Sequence, residues 1–229
     1  MSRMNKSVVV TGAAGALGRA VVAEFRARAL DVVALDVAGE ALDEVGSQDG
    51  VHPVAADLAD RDAVHAAWQA VDEVTLPVAL VALAGGFTPG SLADLDEATL
   101  DRLWRTNVVS LLWCCQAAAP RIAKAGGGAI VTVGSKTALG GAAPLAHATT
   151  KAAVIRVTEL LAEELRGSGV RVNAVLPSVI DTPANRTWMS ADLAARAVAP
   201  SAIAKVIAFL CSEDAAPISG ASIPVFGDA

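Results

Sequence analysis

The sequence predicts an α/β protein: a three-layer, doubly wound fold built on a seven-stranded, mostly parallel sheet. Three observations carry this. Short valine-rich runs alternate with longer alanine-rich segments, the pattern of parallel strands joined by crossover helices. A glycine-rich turn, Gly12 to Gly18, separates the first strand candidate from the first amphipathic helix candidate. The 229 residues, 54% of them hydrophobic, suffice for one full-sized core.

In chain order the strands are expected at Ser7–Val10, Val32–Leu35, Val51–Ala55, Val78–Leu83, Ala129–Val133, Arg171–Leu176 and Ser222–Phe226. Helices are expected over Ala16–Arg28, Arg61–Val71, Glu97–Lys124, Ala146–Arg166 and Pro200–Leu210. Gly126-Gly127-Gly128 stops the long helix and turns the chain into the fifth strand. Connections are short and no linker or repeat interrupts them, so residues 1–229 read as one domain. Ligands are expected at the carboxyl ends of the strands.

Composition narrows the class. The net charge of −6 with a pI near 5.0 offers no basic stripe for a nucleic-acid backbone. No apolar run reaches the roughly 18–20 residues that span a bilayer; Val108 to Ala119 is broken by Ser110 and Gln116 and reads as a buried or subunit-facing helix. The N-terminus runs straight into the first strand without a secretory apolar region, which points to the cytoplasm. Cys114, Cys115 and Cys211 lack metal-ligand or C-x-x-C spacing and read as small apolar fillers. His52 and His65 likewise lack partners at ligand spacing, so no metal site is expected.

Gly12, Gly15 and Gly18, between a strand and a helix beginning near Ala16, allow a tight turn and close approach of a pyrophosphate to backbone N–H groups. A plain Gly/Ala turn that lets helix pack on sheet would read the same way. Asp36 closes the second strand 18 residues past Gly18, where a carboxylate can accept from both ribose hydroxyls of NAD. Against the 2′-phosphate of NADP it would be repulsive, since unit charges about 5 Å apart at an effective dielectric of about 20 interact by roughly 3 kcal/mol. No Arg or Lys follows within Val37-Ala38-Gly39-Glu40, so NAD is favoured over NADP. Asp57, in Ala55-Ala56-Asp57-Leu58, suits either an adenine contact or a helix N-cap.

Together with Asn107, Ser135 and Lys151 in that order, the segment Val8 to Gly18 resembles the short-chain dehydrogenase/reductase family, whose Ser and Tyr-x-x-x-Lys perform acid–base chemistry. The chain contains no tyrosine, and the residue four before Lys151 is His147. The resemblance implies an NAD(H)-dependent oxidoreductase acting on a small alcohol or carbonyl. It assigns the cofactor to Gly12, Ala14, Gly15, Leu17, Gly18, Asp36, Asp57, Leu58, Ala84, Gly85, Lys151, Pro177, Ile180 and Thr182. In the family the Asn at 107 holds a water on a proton wire, Ser135 bonds the substrate oxygen, Lys151 binds the nicotinamide ribose, and Thr182 bonds the carboxamide. Departures are visible. The loop is G-x-x-G-x-x-G, with Ala16 at the family's usual second glycine. Ala82 and Leu83 replace two asparagines, and Ser178 replaces a glycine.

His147 and Lys151 share one helix face. A tyrosine pKa starts near 10 and Lys⁺ draws it toward neutrality; a histidine starts near ~6.5 and the same charge pushes it lower still. A neutral imidazole can take a proton from an alcohol, whereas donation to a carbonyl needs imidazolium. Three readings follow: a working base or orienting residue; an NAD-binding sensor or partner protein that has lost the chemistry; or a substitution in an otherwise ordinary reductase. Two segments, Leu176 to Arg186 and Gly15 to Gly18, look like the dihydropteridine reductases of the family, which makes a quinonoid pteridine an alternative substrate. Residues 183–199 would form a substrate lid, with Phe87, Leu139, Leu145, Trp188 and Met189 as apolar lining and Arg186 meeting a substrate carboxylate or Asp192. Helices 97–124 and 146–166 carry apolar residues almost all round, which implies a homodimer or homotetramer through them.

Overall fold

The computed structural model describes residues 5–228. Its seven strands are β1 (Lys6–Thr11), β2 (Asp31–Asp36), β3 (Val51–Ala55), β4 (Leu76–Ala82), β5 (Gly128–Val133), β6 (Val170–Pro177) and β7 (Ser222–Val225). They form one sheet in the order β3-β2-β1-β4-β5-β6-β7. Every pairing is parallel, so the expected "mostly parallel" sheet is wholly so among the described residues.

Two cores follow from the period of two along each strand. Val8 and Val10 of β1 point to the layer holding α1 (Ala16–Ala27), α2 (Glu40–Gly46) and α9 (Pro200–Cys211), where Phe25, Val45 and Ile207 pack. Val9 points to the layer of α3 (Arg61–Val74), α5 (Ser110–Lys124) and α6 (Leu145–Glu164), where Trp68, Ile122 and Val154 pack. Strands buried on both faces are hydrophobic without alternation, and that is why valine runs predicted them well. Among the described residues no helix is long and apolar enough to cross a membrane.

The expected helix Glu97–Lys124 is interrupted. It starts as α4 (Glu97–Trp104), widens to a π-helical turn over Arg105–Val109, and resumes as α5. Three short helices were not predicted: α2, α7 (Pro183–Arg186) and α8 (Ala191–Arg196). Each has too few turns for an apolar period to register. Asp60, not Asp57, caps α3, accepting from the N–H groups of Asp62 and Ala63. Chain reversal at the ends opposite the cleft needs close backbone contact. A Cβ on Gly128 would lie 1.9 Å from the Val78 carbonyl oxygen, which belongs to the neighbouring central strand. Gly128→Ala is therefore expected to lower stability by about 2–4 kcal/mol, read as a drop in the urea midpoint.

Candidate functional site

A cleft of about 680 Å³ opens at the carboxyl ends of β1, β2 and β4, where the sheet order reverses. Backbone shapes its floor. Gly12 has φ +66°, and a Cβ there would come 2.9 Å from the Ala84 nitrogen; a Cβ on Gly18 would come 2.1 Å from the Gly12 oxygen. Gly15 is the N-cap of α1 and supplies no side-chain acceptor, so the first N–H groups of that helix are left for a ligand in the cleft. Where the family has asparagines, Thr11 makes the cross-strand tie: its Oγ1 accepts from the N–H groups of Leu83 and Ala84, both at 3.1 Å.

Asp36 does double service. Its Oδ2 accepts from the Ala14 N–H and its Oδ1 from the Val37 N–H, each at 2.8 Å, which holds the glycine loop against β2. Each carboxylate oxygen retains a lone pair for a ligand. Glu40 lines the same end of the cleft. Arg19, which bonds the carbonyls of Ala14 and Ala41, is neutralised by Glu44 at 2.8 Å. Asp57 is exposed, lines the cleft, and accepts from the Ala59 N–H at 2.9 Å.

Of the residues assigned to a cofactor, Gly12, Ala14, Gly15, Leu17, Gly18, Asp36, Asp57, Leu58, Ala84, Gly85 and Thr182 line this cleft. Pro177 does not; it pairs with Val225 inside the sheet. The Ile180 carbonyl takes bonds from the Thr182 N–H and the Asn185 side chain, both at 2.9 Å, so its two lone pairs are occupied. Thr182 caps α7 by accepting from the Asn185 N–H and keeps its hydroxyl hydrogen. Leu83, at one of the replaced asparagine positions, also lines the cleft, as do Val37, Gly39, Thr106 and Ser110, which no motif in the sequence marks.

The second group of residues lies behind the Gly85 wall. A Cβ on Gly85 would come 2.9 Å from Asn107 Oδ1 and 3.4 Å from Lys151 Nζ. Asn107, buried in the π-helical turn, accepts from the Gly86 N–H at 2.6 Å and donates to the Gly86 carbonyl and to Thr150 Oγ1. Both of its amide hydrogens are committed to protein groups. A water of the kind implied by the family resemblance would have to use its oxygen or its main-chain carbonyl. Lys151 is buried and donates to the Val133 carbonyl at 2.8 Å; burial pulls its pKa down to about 8. His147 is buried on the same face of α6. Burial first, and the Lys151 charge second, push its pKa down to about 4. Its ring meets the edge of Phe87 with centroids 5.0 Å apart. Thr137 Oγ1 stands 3.5 Å from His147 Nδ1 and 2.8 Å from Ser135 Oγ. Thr137 was not anticipated, because a single hydroxyl in a turn has no sequence signature.

The candidate lid differs from expectation. Arg186 pairs with both oxygens of Asp181, at 2.5 and 2.7 Å, and not with Asp192, which bonds Arg196. That pairing depresses the Asp181 pKa. Leu139, Leu145 and Trp188 are exposed.

A family model described as short chain dehydrogenase matches residues 6–193. The meso-2,3-butanediol dehydrogenase of Serratia marcescens is 33% identical over 238 residues, covering 98% of this chain and 94% of its own. The 2-(R)-hydroxypropyl-CoM dehydrogenase of Xanthobacter autotrophicus is 32% identical over 246 residues, covering 98% of each chain. In three dimensions the crystal structure of 3-ketoacyl-(acyl-carrier-protein) reductase from Brucella melitensis complexed with NADH matches with a TM-score of 0.89 at 27% identity, over 97% of both chains.

Burial of the Lys151 cation has a measurable cost. Below pH 8 both folded and unfolded states carry the proton, and the folded chain bears the whole penalty. Between pH 8 and the unperturbed 10.5 the folded state releases its proton first, so stability rises with pH through that window. Lys151→Met is expected to be more stable than the parent by about 2 kcal/mol at pH 7, and to lose most of that lead by pH 10. Urea midpoints at the two pH values measure it.

Proposed function

The chain belongs to the short-chain dehydrogenase family, and from that premise we propose that it is an NAD(H)-dependent oxidoreductase of small alcohols and carbonyls in which His147 takes the position of the family's tyrosine. Pyridine-nucleotide oxidoreduction of alcohols and carbonyls follows from family membership. The observation that carries the His147-centred reading is the adjacency of two groups across Gly85. A cleft floored by Gly12, Gly18 and the start of α1 suits a dinucleotide, and Ser135, His147 and Lys151 lie together just beyond its wall.

When bound, NAD would supply the hydride acceptor. The chain's residues would hold it through the α1 N-terminus at the pyrophosphate, Asp36 at the adenosine ribose, Lys151 at the other ribose and Thr182 at the carboxamide. Asp36 and Glu40 at one end, with Arg19 already neutralised by Glu44, favour NAD over NADP. Replacing Asp36 with Ala should raise the NADH KM about tenfold or more and shrink the NADH over NADPH preference, as initial rates with both cofactors would record.

At neutral pH His147 is neutral, with about one ring in a thousand protonated. It is therefore free to accept the proton of an alcohol, as a weak base, and has little to give a carbonyl. Leu112, exposed on α5, and Leu160, exposed on α6, support a homodimer or homotetramer through those elements. The names of the relatives make vicinal diols and short secondary alcohols the first substrates to test; a quinonoid pteridine, suggested by two sequence segments, belongs in the same panel.

The pH profile separates an imidazole from a phenol. With a base of pKa about 4, kcat/KM for alcohol oxidation should stay level from pH 5 to about 7.5. Carbonyl reduction should rise about tenfold for each unit that pH falls from 7.5 to 5. His147→Ala should lower both by about a hundredfold or more. An alanine variant as active as the parent would remove His147 from the chemistry. A parent inert on every substrate, yet thermally protected by NADH, would favour a binding protein.

A further inference from the structure

The hydroxyls beside His147 decide which of its nitrogens carries the hydrogen. Ser135 Oγ accepts two bonds from one residue: the Thr137 N–H at 3.2 Å and the Thr137 hydroxyl at 2.8 Å. A hydroxyl has one hydrogen and two lone pairs. With both lone pairs taken, Ser135 can offer only its hydrogen to anything else. Thr137 has spent its own hydrogen on Ser135, so it turns a lone pair toward His147 Nδ1 at 3.5 Å. That contact is favourable only when Nδ1 bears the hydrogen. A neutral imidazole has just one, and Nε2 is then a bare lone pair. Among the described residues the buried side-chain atoms without a partner are Trp68 Nε1 and Ser222 Oγ, and His147 Nε2 is not one of them.

We propose that Thr137 is a positioning residue that fixes His147 as the Nδ1–H tautomer and Ser135 as a donor, which makes the resting site a receptor for an alcohol hydroxyl. The proposal rests on the oxidoreductase reading of this site. A substrate hydroxyl accepts from Ser135 and donates to Nε2, filling both. A ketone oxygen can only accept, and would leave its lone pairs against that of Nε2. In the step itself the alcohol O–H bond breaks and the proton joins Nε2. The oxygen's electron pair would then close the C=O bond, and the carbinol hydrogen would leave with its pair, for which bound oxidised NAD would supply the acceptor. The imidazolium so formed passes its proton to water. Phe87, edge-on to the ring, holds the imidazole plane from outside.

Histidine labelled with ¹⁵N tests the assignment in the cofactor-free protein at pH 7. Two-bond ¹⁵N–¹H correlation distinguishes the tautomers, and the His147→Gln spectrum identifies the signal among three histidines. Expected are the Nδ1–H pattern in the parent and in Thr137→Ser, and a shift toward Nε2–H in Thr137→Val. In parallel, Thr137→Val should lower kcat for oxidation of a secondary alcohol by about ten- to a hundredfold while KM moves less than about threefold, and Thr137→Ser should recover most of it. An Nε2–H signal in the parent, or a tautomer indifferent to Thr137→Val in a variant whose melting temperature is unchanged, overturns the proposal. Should the spectra behave as stated while no alcohol is oxidised, the assignment of Thr137 stands and the proposed reaction falls.

Discussion

The carboxamide of Asn107 is the joint on which the rest of the site depends. It grips both the N–H and the carbonyl of Gly86 in the loop after β4, and through Thr150 it reaches α6, whose Thr150 hydroxyl bonds the His147 carbonyl. Cleft wall and buried polar cluster would otherwise sit on separate elements with nothing fixing their separation. A buried amide deprived of one such partner costs about 1–3 kcal/mol, so each bond constrains more than it stabilises. The side chain arrives there because the helix takes a π-helical turn at Arg105–Val109. The extra residue per turn redirects Asn107 and loosens the regular backbone ladder. Gly85 completes the joint by having no Cβ, since one would press on Asn107 Oδ1 at 2.9 Å.

The joint brings two titratable groups into the same dry space, and there the low dielectric moves both in one direction. Burial alone penalises the charged form of Lys151 and of His147. Lys151, whose pKa stays at about 8, keeps its proton at pH 7 and donates to the Val133 carbonyl, and that charge makes a second cation next to it harder to form. Burial holds the imidazole neutral, and a lysine that destabilises the fold adds to that. The parallel sheet and its two apolar layers carry that cost, which is why a charged group can occupy α6 at a position otherwise suited to a core residue.

How far the sequence could be read follows from whether a feature is local. The strands were legible because a buried parallel strand is largely apolar on both faces, as Val8-Val9-Val10 and Ala129-Ile130-Val131 are. The glycine loop was legible because Gly12 and Gly18 meet backbone within a few residues or on the adjacent strand. Asp36 was placed correctly at the strand end, yet its grip on the Ala14 N–H was not foreseen. The π-helical turn left no trace, since its cause is the demand of Gly86 and Thr150, 21 and 43 residues from Asn107. Asp192 as a partner for Arg186 fails for a similar reason: Asp181 and Asp192 lie five and six residues away in sequence, and the turn of α7 selects Asp181. Thr11, Thr137 and Ser110 act through a hydroxyl whose meaning exists only once its neighbours are in place.

An imidazole does not simply stand in for a phenol, and on the proposed reading the difference accounts for the surrounding hydroxyls. A phenol accepts and donates through one oxygen, so its orientation needs little control. An imidazole divides these abilities between two nitrogens on opposite sides of the ring, and the wrong tautomer presents a hydrogen where a lone pair is needed. A nearby cation also acts differently on each. Lys⁺ draws a phenol pKa near 10 down toward use as an acid or base, but takes an imidazole, already near ~6.5, out of reach as a proton donor. With His147 beside Lys151, only the lone pair remains useful, and something must aim it. Thr137 is the one described residue in hydrogen-bonding contact with the ring nitrogens, and it is also the residue that fills both lone pairs of Ser135. One residue, through its main-chain N–H and its hydroxyl, thus sets the donor at Ser135 and the acceptor at His147 together, and an alcohol O–H is the group that satisfies both.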